Sequence, residues 1–195
     1  MPIDLSTTSR DDNGILSPWT WSPELVGRAC EPITEFDDDL RKIAEDMFKS
    51  VFAYRGVAIA APQLGIFRQL TTICIPAGYL KASKDLKLVV CNAEIKRYGK
   101  QQQVFKLEGC LSLPGMRGNT TRSTEIDVLY QDEYGESHFK TLKGYMAQVF
   151  QHEIDHLSGI FFVDRCSHMQ KKLILKKHKK LTALAIKRGA EDVKI

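Results

Sequence analysis

The segment Gln151-His152-Glu153-Ile154-Asp155-His156 sets two histidines four residues apart with a glutamate directly after the first. On a helix, residues at this spacing share a face one turn apart, so both imidazoles can reach one metal ion. Glu153 then lies beside the ion's open coordination position, where a carboxylate can take a proton from a water whose pKa the ion has lowered. A bare His-Glu-x-x-His also arises on ordinary amphipathic helices, so its meaning depends on a third ligand.

A metzincin pattern would supply a further histidine downstream, but the chain continues Leu157-Ser158-Gly159-Ile160 and none falls at the required place. A thermolysin-like site would take a glutamate from a later helix, and the only later one is Glu191. The better candidate is upstream, in Glu108-Gly109-Cys110-Leu111-Ser112-Leu113-Pro114-Gly115, directly after an expected strand. A Cys110 thiolate with two imidazoles makes a three-ligand site with one place left for water.

These residues need a scaffold, and 195 residues at 43% hydrophobic and 27% charged are enough for one domain with a substantial core. Residues 1–35 carry four prolines and little periodicity, so an extended, irregular segment is expected there. A helix follows: Asp37 to Asp39 supply a cap and first-turn acids, and Leu40, Ile43, Ala44, Met47, Phe48 and Val51 form its apolar stripe. Short apolar or β-branched runs then read as strands at 57–60, 70–75, 88–90, 104–107, 126–130 and 139–142. A second helix over 144–157 carries the histidine motif. The pattern predicts an α+β fold with β-sheets packed around that central helix.

The chain ends in a basic helix over 168–188. Residues 171–188 hold eight of the 28 basic residues and no acid, although the whole chain carries only +4. Leu173, Ile174, Leu181, Leu184 and Ala185 recur there at helical spacing, which predicts one face on the body and lysines outward. That charge suits a solvated face or contact with RNA or a ribosome. The five cysteines are scattered and odd in number, as for reduced thiols, and no stretch approaches the ~18 apolar residues of a membrane span. A cytoplasmic protein with no membrane or DNA contact is expected, a mature organellar form being the alternative.

GVAIAAPQLG (56–65), EGCLSLPG (108–115) and QHEIDHLSG (151–159) together resemble the three signature motifs of the peptide deformylases, in the family's order and spacing. The resemblance implies antiparallel sheets around the His-Glu-x-x-His helix, and removal of the N-formyl group from the first methionine of nascent polypeptides. It implies Cys110, His152 and His156 as metal ligands and Glu153 as general acid and base acting on metal-bound water. Gln63 and the Leu111 backbone N–H would be the donors to the formyl oxygen. The implied metal is ferrous iron, with zinc, nickel or cobalt able to take its place. Val57, Ala58, Gly109, Arg117 and Val149 would meet the substrate, and the basic C-terminal helix the ribosome. Ala58 departs from the family, which usually has glycine there, and puts a methyl where a substrate backbone would pass. An endopeptidase, a hydrolase with Cys110 as nucleophile, and an RNA-binding protein with a structural metal are the alternatives.

Overall fold

A computed structural model of the chain describes residues 3–78 and 84–187. Helix α1 spans Asp38–Ala53, and Asp37 caps it by accepting the Leu40 N–H at 2.9 Å. Its expected stripe forms: Leu40, Ile43, Ala44, Met47 and Val51 are buried and Phe48 packs partly against the same core. Each large aliphatic side chain buried this way contributes roughly 1.5–3 kcal/mol.

Seven strands follow: β1 (Ala58–Ala60), β2 (Leu70–Ile75), β3 (Leu86–Tyr98), β4 (Gln102–Glu108), β5 (Gly118–Ser123), β6 (Glu125–Gln131) and β7 (Ser137–Lys143). All their pairings are antiparallel, in a five-stranded sheet ordered β1-β2-β3-β6-β7 and a two-stranded sheet of β4 and β5. Helix α2 (Gly144–Leu157) touches both sheets, and helix α3 (His168–Lys187) follows. The fold is thus α+β, with the histidine motif on a helix enclosed by antiparallel strands. Burial of residues as varied as Phe150, Gln151, Glu153 and Asp155 shows that α2 is covered nearly all round.

Two strands depart from the sequence reading. β3 runs far past the expected 88–90, because its second half alternates charged residues that pair across the sheet rather than enter a core. Arg97, for example, binds Asp127 and Glu125 of β6. β5, not among the expected strands, is polar yet buried at Thr120, Arg122 and Ser123. It survives because every one of those groups has a partner, including Gln151 of α2. That amide accepts from the Ser123 N–H at 3.1 Å and donates to its carbonyl at 2.9 Å, as a neighbouring strand would.

The basic helix also needs a correction. Ile174 and His178 are buried and Leu181 is partly so, whereas Leu173 is 61% exposed and Leu184 40% exposed. The inward stripe is therefore 174, 178 and 181, with His178 edge-on to Trp21. Arg188 lies outside the described residues. Residues 3–35 form turns, a bridge between Arg10 and Leu16, and one 3-10 turn at Pro23–Leu25.

Candidate metal centre and substrate cleft

Three donor atoms converge where α2 meets the loop after β4. The Nε2 atoms of His152 and His156 lie 3.2 Å apart, and Cys110 Sγ lies 3.2 Å from His156 Nε2. All three fall within 4.8 Å of one another. Ligands about 2.0–2.3 Å from a tetrahedral ion stand roughly 3.3–3.8 Å apart, close to what the side chains already show. The donor set fits as well as the spacing: one soft thiolate and two imidazoles suit late first-row divalent ions.

The orientation of His152 is set from behind. Its Nδ1 lies 2.7 Å from Glu108 Oε1, and a carboxylate can only accept, so Nδ1 donates and, once the ring gives up its other proton, Nε2 presents a lone pair to the cluster. Glu108 in turn receives Arg122 through Nε and Nη2, Thr120 Oγ1 at 2.7 Å and Gln148 Nε2 at 3.0 Å. Arg122 Nη1 reaches Asp155 at 2.8 Å, and Asp155 also binds Arg165. The buried chain His152, Glu108, Arg122, Asp155 thus alternates in sign, which is the condition under which charges persist without water.

Electrostatics follow from this arrangement. Burial opposes charge on Glu108, but the hydrogen bonds from His152 and Arg122 hold its carboxyl well below the ordinary range. Burial likewise opposes charge on His152, yet hydrogen bonds to Cys110 and Glu108 hold its imidazole up at about 10. Burial and the neighbouring His152 push His156 well below its ordinary value. Both imidazoles must be neutral to ligate, so metal binding here is coupled to proton release.

Glu153 is 4% exposed, and burial raises its carboxyl to about 7. Thr71 Oγ1 lies 3.3 Å from Glu153 Oε2 and 2.9 Å from the Ile59 carbonyl, and its one proton serves a single acceptor at a time. A carboxyl held near neutrality beside a metal cluster can both take and return a proton.

The cluster opens into a cleft of about 900 Å³. Of the residues expected at the site, Gln63, Cys110, Leu111, His152 and Glu153 line it. So do Val57, Ala58, Gly109, Arg117 and Val149. His156 closes the cluster from behind, 2% exposed. Gln63 Oε1 accepts the Ala60 N–H at 2.9 Å, which turns its amide nitrogen to within 3.2 Å of Cys110 Sγ and of Ser112 Oγ. The Leu111 N–H is used in no hydrogen bond among the described residues. Gly109 admits the Arg117 guanidinium against the main chain: a Cβ there would meet Arg117 Nη1 at 1.8 Å. The N-terminal segment ties the two motifs together, the Trp19 N–H donating to the Gln63 carbonyl and the Trp21 N–H to that of Ser112. Trp19 packs on Gly65, whose φ of +82° and close neighbours leave no room for a side chain.

Several of these residues carried no assigned role in the sequence reading. Glu108 and Asp155 sit inside the motifs and were visible, but nothing in one dimension shows that Arg122 joins them. Gln151 likewise opens the third motif but carried no role there, and Thr71 gave no signal, since a threonine in a strand is commonplace.

Residues 20–172 match the family description "Polypeptide deformylase". The chain is 39% identical to a peptide deformylase of Acidobacterium capsulatum over 80% of its own length and 89% of that protein's. It is also 39% identical to a peptide deformylase of Thermotoga maritima, covering 78% of this chain and 88% of the relative. The crystal structure of a peptide deformylase from Ehrlichia chaffeensis superposes with a TM-score of 0.79 at 27% identity, over 88% of this chain and 99% of that one. One from Synechococcus elongatus in complex with actinonin gives 0.77 at 28%, over 88% and 90%. With three signature motifs folded onto one thiolate and two imidazoles beside a buried carboxylate, and with relatives this similar over most of their length, the chain belongs to the peptide deformylase family of metal-dependent hydrolases.

Proposed function

We propose that this chain hydrolyses the N-formyl group from the N-terminal methionine of newly made polypeptides, releasing formate. The observation that carries the reading is the convergence, in one cleft, of the Cys110, His152 and His156 donors with the Glu153 carboxyl and the Gln63 amide. A divalent ion held by those three ligands would lower the pKa of a bound water and polarise a carbonyl oxygen. Glu153 takes the proton from the attacking water and passes it to the departing methionine amine. The Gln63 amide and the Leu111 N–H donate to the formyl oxygen as it gains negative charge, which stabilises the transition state more than the ground state. No covalent intermediate with the protein is needed.

β1 is an edge strand, so a peptide can add along Val57 and Ala58 through main-chain hydrogen bonds that tolerate many sequences. Val149, one turn before Glu153 on α2, lines the wall suited to an apolar methionine side chain. Ala58 places its methyl on this path. Its replacement by glycine is expected to change kcat/KM about threefold or more across a set of formyl peptides, since one methyl is worth roughly 1 kcal/mol of packing. Identical kinetics for the two proteins would show that the methyl does not shape the groove.

Ferrous iron is the metal we assign, zinc, nickel and cobalt being compatible with the same ligands. The exposed lysines of α3, among them Lys172, Lys176 and Lys180, support a ribosome contact, and a cytoplasmic setting accords with both. The direct test is formate release from formyl-Met-Ala-Ser by anaerobically purified protein, with and without a chelator. Activity that chelation abolishes and that decays in air is the expected result. Activity that survives chelation but not thiol alkylation would move the reading to Cys110 as nucleophile, and stable activity in air would remove iron.

A further inference from the structure

The mouth of the cleft is positively charged. Arg55, Lys106 and Arg117 line it and are exposed, and none makes an ion pair with any described residue. Most other arginines of the described chain are paired, among them Arg10, Arg41, Arg97, Arg122 and Arg165. The one exposed-side carboxylate on the same wall is Asp11, and its Oδ1 already accepts from the Asn13 and Ile15 N–H groups. Glu108 is neutralised by Arg122, and Glu153 is buried at the back. Three cations against one carboxylate leave the rim with an excess of two positive charges.

One of these positions, Arg55, and the neighbour of another, Leu107, are held by backbone that ordinary residues avoid. α1 ends in a Schellman turn, in which the Gly56 N–H donates to the Val51 carbonyl and the Arg55 N–H to that of Phe52. The left-handed position of this turn usually belongs to glycine, yet here it is Arg55, at φ +53°. In the same cleft lining, Leu107 stands at φ +59° in the irregular end of β4 and is 71% exposed, with Lys106 beside it. Among the described residues only Asn92 shares such a backbone without being glycine, so two of three occurrences sit at this mouth. Strain kept at two points of one cleft lining is a reason to ask what their side chains meet.

The path of the substrate answers that. From Ala58 onward β1 runs into fully buried Ile59, Ala60 and Ala61, whereas backward through Val57 and Gly56 it becomes progressively exposed and reaches Arg55. A peptide whose first residue sits at the metal cluster and which pairs with this edge can leave only toward Arg55. Residues after the second then leave along the part of the cleft lining to which Arg55, Lys106 and Leu107 contribute. We propose that this part of the lining reads the charge of the third and fourth residues of the substrate, favouring acidic side chains and disfavouring basic ones. The inference rests on the deformylase reading and extends it to substrate preference.

Matched substrates test it: formyl-Met-Ala-Glu-Glu and formyl-Met-Ala-Lys-Lys, both amidated at the C-terminus so that only the side chains differ in charge. At low salt the acidic peptide is expected to have about tenfold higher kcat/KM, and about 0.5 M salt should bring the two together. Arg55→Gly, which suits the left-handed turn, and Lys106→Gln should each reduce the acidic-to-basic ratio at least about twofold. A loss of folding or of metal lowers both rates alike and leaves the ratio untouched, so the ratio isolates the charge effect. A ratio at or below one in the unaltered protein, or one that neither substitution changes, overturns the proposal. Formate from neither peptide nor from formyl-Met-Ala-Ser would instead count against the deformylase reading itself.

Discussion

Glu153→Ala is expected to lower formate release from formyl-Met-Ala-Ser by about 10²- to 10⁴-fold while the protein keeps one metal per chain. The proposed metal ligands are Cys110, His152 and His156, so removing the intervening carboxylate leaves that donor set complete. It removes the one buried carboxyl in the cleft that is not already committed to an arginine, since Glu108 is held by Arg122 while the hydroxyl of Thr71 is the only described side chain within hydrogen-bond distance of Glu153. Measuring bound metal beside the rate separates loss of the base from loss of the ion. A variant with full metal and more than a tenth of the original activity would mean that another group moves the proton.

Glu108→Ala tests the support behind the site. The substitution strips His152 of the acceptor for its Nδ1 proton and leaves Arg122, 3% exposed, with only Asp155 to offset it. Breaking one partner out of a buried charge network typically costs about 3–5 kcal/mol, which for a protein of this size lowers Tm by roughly 10 °C. Losing the acceptor that orients a ligating imidazole typically weakens metal binding by about 10- to 100-fold. Thermal unfolding and metal titration of the variant should show both effects. A Tm within about 2 °C of the parent and unaltered metal affinity would show that neither role is real. Glu108→Gln, which keeps the shape and an acceptor oxygen but not the charge, is expected to fall between the two.

The elements that the sequence announces best are those whose signals are local. α1 matches its expected span because a cap and an apolar stripe at helical spacing lie within one segment, and α2 matches its own without a side-chain cap. β2 was legible for the same reason, as an unbroken run of apolar and β-branched residues from Leu70 to Ile75. β5 was not, because Gly118-Asn119-Thr120-Thr121-Arg122-Ser123 has the composition of a turn. It is a strand only because Glu108, Gln151 and Asp155 arrive from elsewhere in the chain to satisfy its polar groups. The far half of β3 is similar, held by Arg97 across to β6 rather than by apolar burial.

The same division holds at the site. Histidines one helical turn apart, a glutamate after the first and a cysteine beside glycine have a chemistry that follows from residue type and spacing, so the sequence by itself determined which donors and which base to propose, and its three motifs together carried the family. Where charges are compensated and what surrounds a substrate depend on groups far apart in the chain. The bracing of His152 through Glu108 and Arg122, the turn of Gln63 toward Cys110, and the gathering of Arg55 and Lys106 at one cleft each join residues from different elements. Only the tertiary structure decided these, because one-dimensional spacing carries no information about which distant polar groups will share the same dry interior or the same rim.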